Sequence, residues 1–231
     1  MSRSTERRLA LVLLLATAGV ARAACDPPRC REMVVPVPRE LHVQDSTVRV
    51  LVPTGYDGSH ARHPVLYLLH GAGDTFRTWT DLTDVADFTA TLDVIVVMPD
   101  AGHDADAGFY SDWIDGSRQW ETFHTRVLPR WVDRHFRTLH GRRHRAVAGL
   151  SMGGFGALSY AARHPRLFRA AASFSGAVDT LYPDPATPIL DAAHILSRGA
   201  WGDPAVDIAT WHAHNPVDLA SKLSEIGRAY V

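Results

Sequence analysis

The chain alternates between short apolar runs and longer amphipathic segments. Four continuous apolar runs are typical of strands buried on both faces of a sheet. They cover residues 64–69, 92–98, 146–148 and 169–174. Residues 40–52 alternate between apolar and polar positions instead, which predicts one or two antiparallel strands at a sheet edge.

The amphipathic segments predict helices. Residues 79–91 and 154–162 have helical patterns, and 118–136 has the clearest one, with Trp120, Phe123, Val127, Trp131 and Val132 on a single face. Pro129 predicts a kink in that helix. Because buried strands alternate with helices, the fold class is α/β: a mostly parallel sheet with helices on both faces.

Residues 1–23 have the composition of a secretory signal peptide. Arginines precede the apolar run 9–20, and Ala21 and Ala23 supply small residues before a cleavage site. The run is too short to span a bilayer as a permanent anchor. The sequence therefore predicts a secreted protein, extracellular or periplasmic, with no transmembrane segment in its mature form.

The net charge, the cysteines and the histidines bear on whether the chain binds nucleic acid, forms a disulfide or holds a metal. The formal net charge of −1 becomes −4 without residues 1–23, which hold four arginines and one glutamate. No basic stripe remains for nucleic acid. The two cysteines, Cys25 and Cys30, predict a local disulfide within an N-terminal extension, residues 24–40. The histidine pairs have no third ligand at a metal-binding spacing, so we expect neither metal nor cofactor.

The stretch from Gly149 to Gly153 carries the chemistry. It reads G-x-S-x-G, with an apolar run before it and a small-residue helical pattern after it. This setting is typical of a nucleophile placed on a sharp turn from strand to helix, which predicts Ser151 as the nucleophile. In such a turn the N–H of the next residue, Met152, helps to stabilise the oxyanion.

The last quarter of the chain has a different pattern. Residues 180–215 contain four prolines and no clean periodicity, which predicts a cap or insertion over the site. Residues 216–223 predict a short helix, and 228–231 predict the opening of one more strand.

These motifs resemble the α/β-hydrolase esterase family that includes esterase D-like enzymes and the antigen 85 mycolyltransferases. Three segments carry the resemblance, which are YLLHGAG, FYSDW followed by WETFHTRVLPRW, and GLSMGGFGAL. The resemblance covers nearly all of residues 41–231 and implies one α/β-hydrolase domain there. It also implies that the N–H of Ala72 is the second oxyanion donor, and that Asp112, Trp113, Arg77 and Trp79 line the mouth of the substrate pocket.

The resemblance leaves the rest of the catalytic triad unassigned. In this fold the order is serine, then the acid, then histidine, and in the similar family both partners follow the strand that begins here at residue 228. The expectation is therefore a chain truncated before its final strand and helix, with impaired activity. Weaker internal candidates are Asp179 for the acid and His194, His212 or His214 for the base.

Three functions follow from these expectations. The first is a secreted serine esterase that acts on carboxylic esters of small molecules or lipids through an acyl-enzyme. The second is an acyltransferase of the mycolyltransferase kind, in which a sugar hydroxyl accepts the acyl group. The third is a catalytically inactive secreted binding domain, which the missing histidine favours.

Overall fold

The computed structural model describes residues 25–103, 107–182 and 198–231. Seven strands form a single sheet in these ranges: β1 (Cys30–Val34), β2 (Thr47–Leu51), β3 (Val65–Leu69), β4 (Ile95–Pro99), β5 (Arg145–Leu150), β6 (Ala170–Phe174) and β7 (Arg228–Tyr230). Their order across the sheet is β1-β2-β4-β3-β5-β6-β7. β1 pairs with β2, and β2 with β4, in antiparallel fashion. The five strands β4, β3, β5, β6 and β7 are parallel to one another. The predicted α/β fold is confirmed.

Helices cover both faces of this sheet. The described ones are α1 (Thr78–Leu82), α2 (Val85–Phe88), α3 (Trp120–Thr122), α4 (Leu128–His135), α5 (Met152–Arg163), α6 (Ile208–His214) and α7 (Ala220–Leu223). None of the helices in the described ranges is long and apolar enough to cross a membrane.

The sheet edge differs from the prediction. Residues 40–52 supply only β2, and its antiparallel partner β1 lies inside the segment expected to be an extension. From Arg31 to Val34 the burial of β1 alternates between half-buried and exposed residues, as in an edge strand with one face on the core. Cys25 and Cys30 form a disulfide, so the bridge holds the start of the edge strand.

The predicted helix 118–136 is continuous but not regular. A π-helical segment, Phe123–Val127, separates α3 from α4, and Pro129 follows directly in the first turn of α4. A proline there removes one i→i−4 bond, and the wider π turn accommodates that loss. The predicted helix 79–91 is also broken, into α1, α2 and a 3₁₀ turn at Thr89–Thr91.

The described part of the predicted cap, residues 198–215, is anchored in the core. Trp201 is fully buried and packs its ring 5.4 Å from that of Phe109 and 5.3 Å from that of Phe155. Trp211 packs edge-on against Trp201 at 5.2 Å. This part of the chain is therefore integral to the α/β domain. The rest of the predicted cap up to residue 197, including His194, lies outside the described residues.

Candidate active site

Ser151 lies on the turn between β5 and α5. Its backbone has φ 54° and ψ −117°, a conformation that side-chain-bearing residues rarely adopt. Its N–H donates to the carbonyl of Phe174 at 2.9 Å, which ties the turn to the end of β6. A strained non-glycine backbone of this kind costs about 1–3 kcal/mol and is concentrated at functional sites.

The neighbouring glycines permit the close packing of this turn. A Cβ placed on Gly149 would lie 2.3 Å from the carbonyl oxygen of Gly153. A Cβ on Gly153 would lie 2.4 Å from the carbonyl oxygen of Leu69 and 2.7 Å from that of His70. All three approaches are to backbone atoms, which cannot move aside as a side chain does. The G-x-S-x-G pattern is therefore a steric requirement of this fold.

The loop after β3 lies against the serine. A Cβ on Gly71 would be 3.6 Å from the Cβ of Ser151. β3 and β5 are adjacent and in register, with Leu69 opposite Gly149, so both loops leave the sheet at the same edge. Within the described ranges, neither the N–H of Ala72 nor that of Met152 donates a hydrogen bond to another residue. Both predicted oxyanion donors thus have N–H groups without a partner among the described residues, one on the loop after β3 and one at the first residue of α5, and both lie beside Ser151.

The internal candidates for base and acid have other partners. The ring of His212 is exposed, and its Nδ1 lies 2.8 Å from Asp218. His214 is buried, with Nδ1 donating to the carbonyl of Thr210 at 2.7 Å. Asp179 accepts from the Asn215 amide at 3.1 Å. Among the described residues, no histidine forms a hydrogen bond with Ser151, so the structure does not assemble a triad from these candidates.

Asp112 and Trp113 are held within the fold. Asp112 accepts from the N–H of Thr122 at 2.8 Å and from its hydroxyl at 2.6 Å, which satisfies a free N–H in the first turn of the interrupted helix. The indole N–H of Trp113 donates to the carbonyl of Gly108 at 3.1 Å, and the guanidinium of Arg118 lies 4.3 Å above the ring. Both side chains thus hold the loop before α3 in place.

Arg77 and Trp79 differ from each other in their surroundings. Trp79 donates its indole N–H to the carbonyl of Leu69 at 3.2 Å and packs on the sheet. Arg77 is exposed and bridges to Glu32 at 2.9 Å. It also lines a cavity of about 480 Å³. Of the four predicted pocket residues, Arg77 is the one that lines this cavity.

Two residues of that cavity were missed in the sequence. Asp100 is buried directly after β4, and burial raises the pKa of its carboxyl above the usual range. His103 lines the same cavity. The signal available in the sequence was the Pro-Asp that ends the apolar run of β4, at the same sheet edge as Ser151. Within the described ranges, no three histidine, cysteine, aspartate or glutamate side chains come together as metal ligands.

Comparison with known proteins agrees with this geometry. A family model described as "Putative esterase" matches residues 42–230, nearly all of the described domain. The chain belongs to this esterase family. Among curated members similar to it, an esterase from Mycobacterium tuberculosis (strain CDC 1551 / Oshkosh) is 42% identical over 185 residues, covering 74% of this chain and 39% of that protein.

A second family relative is named as an acyltransferase. The diacylglycerol acyltransferase/mycolyltransferase Ag85B of Mycobacterium leprae (strain TN) is 30% identical over 226 residues, covering 92% of this chain and 65% of that protein. The chain thus spans between about two-fifths and two-thirds of the length of these relatives.

Solved structures confirm the fold of the family. The structure of Mycobacterium tuberculosis MPT51 superposes with a TM-score of 0.67 at 26% identity, covering 85% of this chain and 70% of that one. An S-formylglutathione hydrolase from Agrobacterium tumefaciens gives a TM-score of 0.68 at 24% identity over 82% of this chain and 69% of that one, a likeness of fold alone. The predicted resemblance and the α/β-hydrolase fold are both confirmed.

Proposed function

We propose that this chain carries the nucleophile and oxyanion hole of a secreted serine esterase that acts on carboxylic esters. The observation that supports it most is the strained turn at Ser151 with Gly71 of the neighbouring loop against it. Family membership, with relatives named as an esterase and an acyltransferase, supports the same reaction class.

The proposed reaction has two halves. The hydroxyl oxygen of Ser151 attacks the ester carbonyl while a base takes its proton, and the tetrahedral oxyanion binds the N–H groups of Met152 and Ala72. The alcohol leaves with a proton, and an acyl-enzyme remains on Ser151. Water then attacks the acyl carbon and releases the acid, which regenerates the serine hydroxyl.

We further propose that hydrolysis by this chain is impaired. His212 and His214 have other partners, and no histidine among the described residues forms a hydrogen bond with Ser151, which supports a missing base. Loss of the triad base costs up to about 10⁶-fold in kcat, and the oxyanion hole and binding alone retain about 10³–10⁴-fold over water.

The test is covalent labelling beside turnover. A fluorophosphonate probe is incubated with the chain, with Ser151→Ala and with the control Ser224→Ala, whose serine is an exposed one. We expect slow labelling that maps to Ser151 and persists in Ser224→Ala. Hydrolysis of p-nitrophenyl butyrate should be weak and should fall to background only in Ser151→Ala. Equal labelling of Ser151→Ala and the unaltered chain would refute the role of Ser151 as the nucleophile.

A second candidate is acyl transfer, since the acyltransferase named above matches over 92% of this chain. A sugar hydroxyl would then replace water in the second half of the reaction. Adding trehalose or glucose to the ester assay separates the two outcomes. A new sugar ester that forms faster than free acid supports transfer, and acid release unchanged by sugar supports hydrolysis.

A third candidate is a non-catalytic secreted binding domain, which the absence of a histidine partner for Ser151 among the described residues favours. It predicts no Ser151 label and no turnover, while an ester or lipid still binds. Secretion itself is a proposal that rests on residues 1–23. Export of the full chain should yield a protein whose first residue is 24 or 25, by N-terminal sequencing.

A further inference from the structure

His70 lies between two strand ends beside the candidate site. It follows β3, is almost fully buried, and contacts the segment that follows β4. Its Nε2 is 3.0 Å from the backbone nitrogen of Ala101, and its Nδ1 is 2.7 Å from the carbonyl oxygen of Gly71. Because the Ala101 N–H can only donate, Nε2 must be the acceptor. The proton therefore sits on Nδ1 and is donated to Gly71.

The peptides around Gly71 are fixed from several sides. The carbonyl of Gly71 also accepts from the N–H of Asp74 at 3.2 Å, and the Gly71 N–H donates to the Asp74 carboxylate at 3.0 Å. The preceding carbonyl, that of His70, accepts from the Tyr110 hydroxyl at 3.0 Å. Each of these bonds restricts rotation of a peptide plane in the loop.

The orientation of one peptide then sets the direction of a catalytic donor. In a trans peptide the C=O and the following N–H point in opposite directions. Holding the Gly71 carbonyl toward His70 therefore turns the Ala72 N–H away from the imidazole. That N–H donates to no other described residue, and the loop lies against Ser151 at Gly71.

We propose that His70, in its Nδ1–H form, is a positioning residue that aims the Ala72 N–H at the oxyanion, an inference that rests on the proposed function. The imidazole does not touch substrate. It acts through the Gly71–Ala72 peptide, and it is braced by the peptide that joins Asp100 and Ala101.

A second buried histidine supports that brace. His124 Nε2 lies 2.8 Å from the carbonyl oxygen of Asp100, and its Nδ1 lies 2.9 Å from the Tyr160 hydroxyl. The carbonyl can only accept, so Nε2 of His124 carries the proton and Nδ1 accepts from the tyrosine. One peptide thus binds His124 through its C=O and His70 through its N–H.

Both imidazoles stay neutral in this setting. Burial lowers the pKa of His70 below its usual value, against the opposing pull of Asp100 and Asp74, and burial lowers the pKa of His124 to about 3. A second proton on His70 would place an N–H against the N–H of Ala101. The single tautomer is therefore retained at neutral pH.

The experiment measures acylation in a single turnover. Release of p-nitrophenol on mixing with p-nitrophenyl butyrate gives a binding constant for the ester and a rate constant for acylation of Ser151. In His70→Leu we expect the rate constant to fall about 10²-fold with the binding constant unchanged, since loss of one oxyanion donor has this size. His70→Asn, whose amide nitrogen can still donate near the Nδ1 position, should recover most of the rate. Tyr110→Phe should show a smaller fall.

The matched control is His63→Leu, which removes another buried histidine, one paired with Asp93. It should lower stability without changing the acylation rate per folded molecule. A His70→Leu rate equal to that of the control, at equal folded fraction, overturns the inference. Nitrogen NMR of the unaltered chain gives an independent readout, because it reports the His70 tautomer. A proton on Nε2 overturns the inference even if Ser151 reacts, whereas failure of Ser151 to react with an Nδ1–H tautomer present is a failure of the proposed function.

Discussion

The backbone strain at Ser151 leads to a prediction that does not depend on activity. Ser151→Ala and Ser151→Gly both remove the hydroxyl, but only glycine adopts φ 54° without a steric cost. Relief of the strain favours glycine by about 1–3 kcal/mol. The greater freedom of glycine in the unfolded chain opposes this by about 0.4–1 kcal/mol. We therefore expect the glycine variant to be more stable than the alanine variant by about 1 kcal/mol.

The control is the same pair of substitutions at another position, Arg130→Ala and Arg130→Gly. Arg130 is exposed in α4, where the backbone is helical and glycine is the worse residue by about 1 kcal/mol. The order of stability should thus reverse between the two positions, with a double difference of about 2 kcal/mol. Urea unfolding at pH 7, followed by tryptophan fluorescence, measures it, and unchanged m-values show that the comparison is valid.

The same order of stability at both positions would contradict this prediction. If alanine is better than glycine at position 151 by as much as at position 130, then the turn is not strained. The conformation of Ser151 would then give no energetic support to its role as nucleophile.

Three further predictions concern stability. Gly153→Ala should destabilise the fold by about 3 kcal/mol or more, because its Cβ would lie 2.4 Å from the backbone carbonyl oxygen of Leu69. The control is Gly58→Ala, whose Cβ would have no atom within 4 Å. It should be neutral or slightly stabilising in the same unfolding assay. Because the folded-state pKa of His124 is lowered to about 3 from 6.5, its contribution to stability is complete above pH 6.5 and is lost as the pH falls toward 3. At pH 4 this loss is about 3 kcal/mol, and His124→Gln should lose correspondingly less between pH 7 and pH 4; equal losses would contradict the assignment. Reduction of the Cys25–Cys30 disulfide should lower the free energy of unfolding by about 2 kcal/mol, the value for so short a loop, and the same reductant should leave the Cys25→Ser/Cys30→Ser double variant unchanged.

Local requirements of the backbone were predictable from the sequence. The turn at Ser151 needs small neighbours, and those glycines are visible as a motif whatever surrounds them. The central parallel strands, β3, β4 and β5, were equally visible, since burial on both faces leaves a continuous apolar run. The strand β1 was missed because its alternating pattern is short and two prolines follow it. This combination led to the prediction of an N-terminal extension with no strand.

Contacts between distant segments were not predictable. Arg77 bonds to Glu32, 45 residues away, and no local pattern encodes that pair. Asp112 accepts from the N–H and the hydroxyl of Thr122, and no motif in the sequence marked this pair either. The sequence does not show whether a histidine such as His70 is exposed, binds a metal, or is buried and neutral. That information lies in the acceptor and donor placed opposite its ring.

The pairing of β3 with β5 also has a kinetic consequence. The two strands lie side by side at the centre of the sheet, with Val65 opposite Arg145, 80 residues later in the chain. At a synthesis rate of about 5–20 residues per second, β5 is synthesised roughly 4–16 s after β3. The same pairing brings Gly71 to Ser151, so the oxyanion loop and the nucleophile turn come together in a single late event. A nascent chain halted before residue 145 would have the loop but no serine for it to serve.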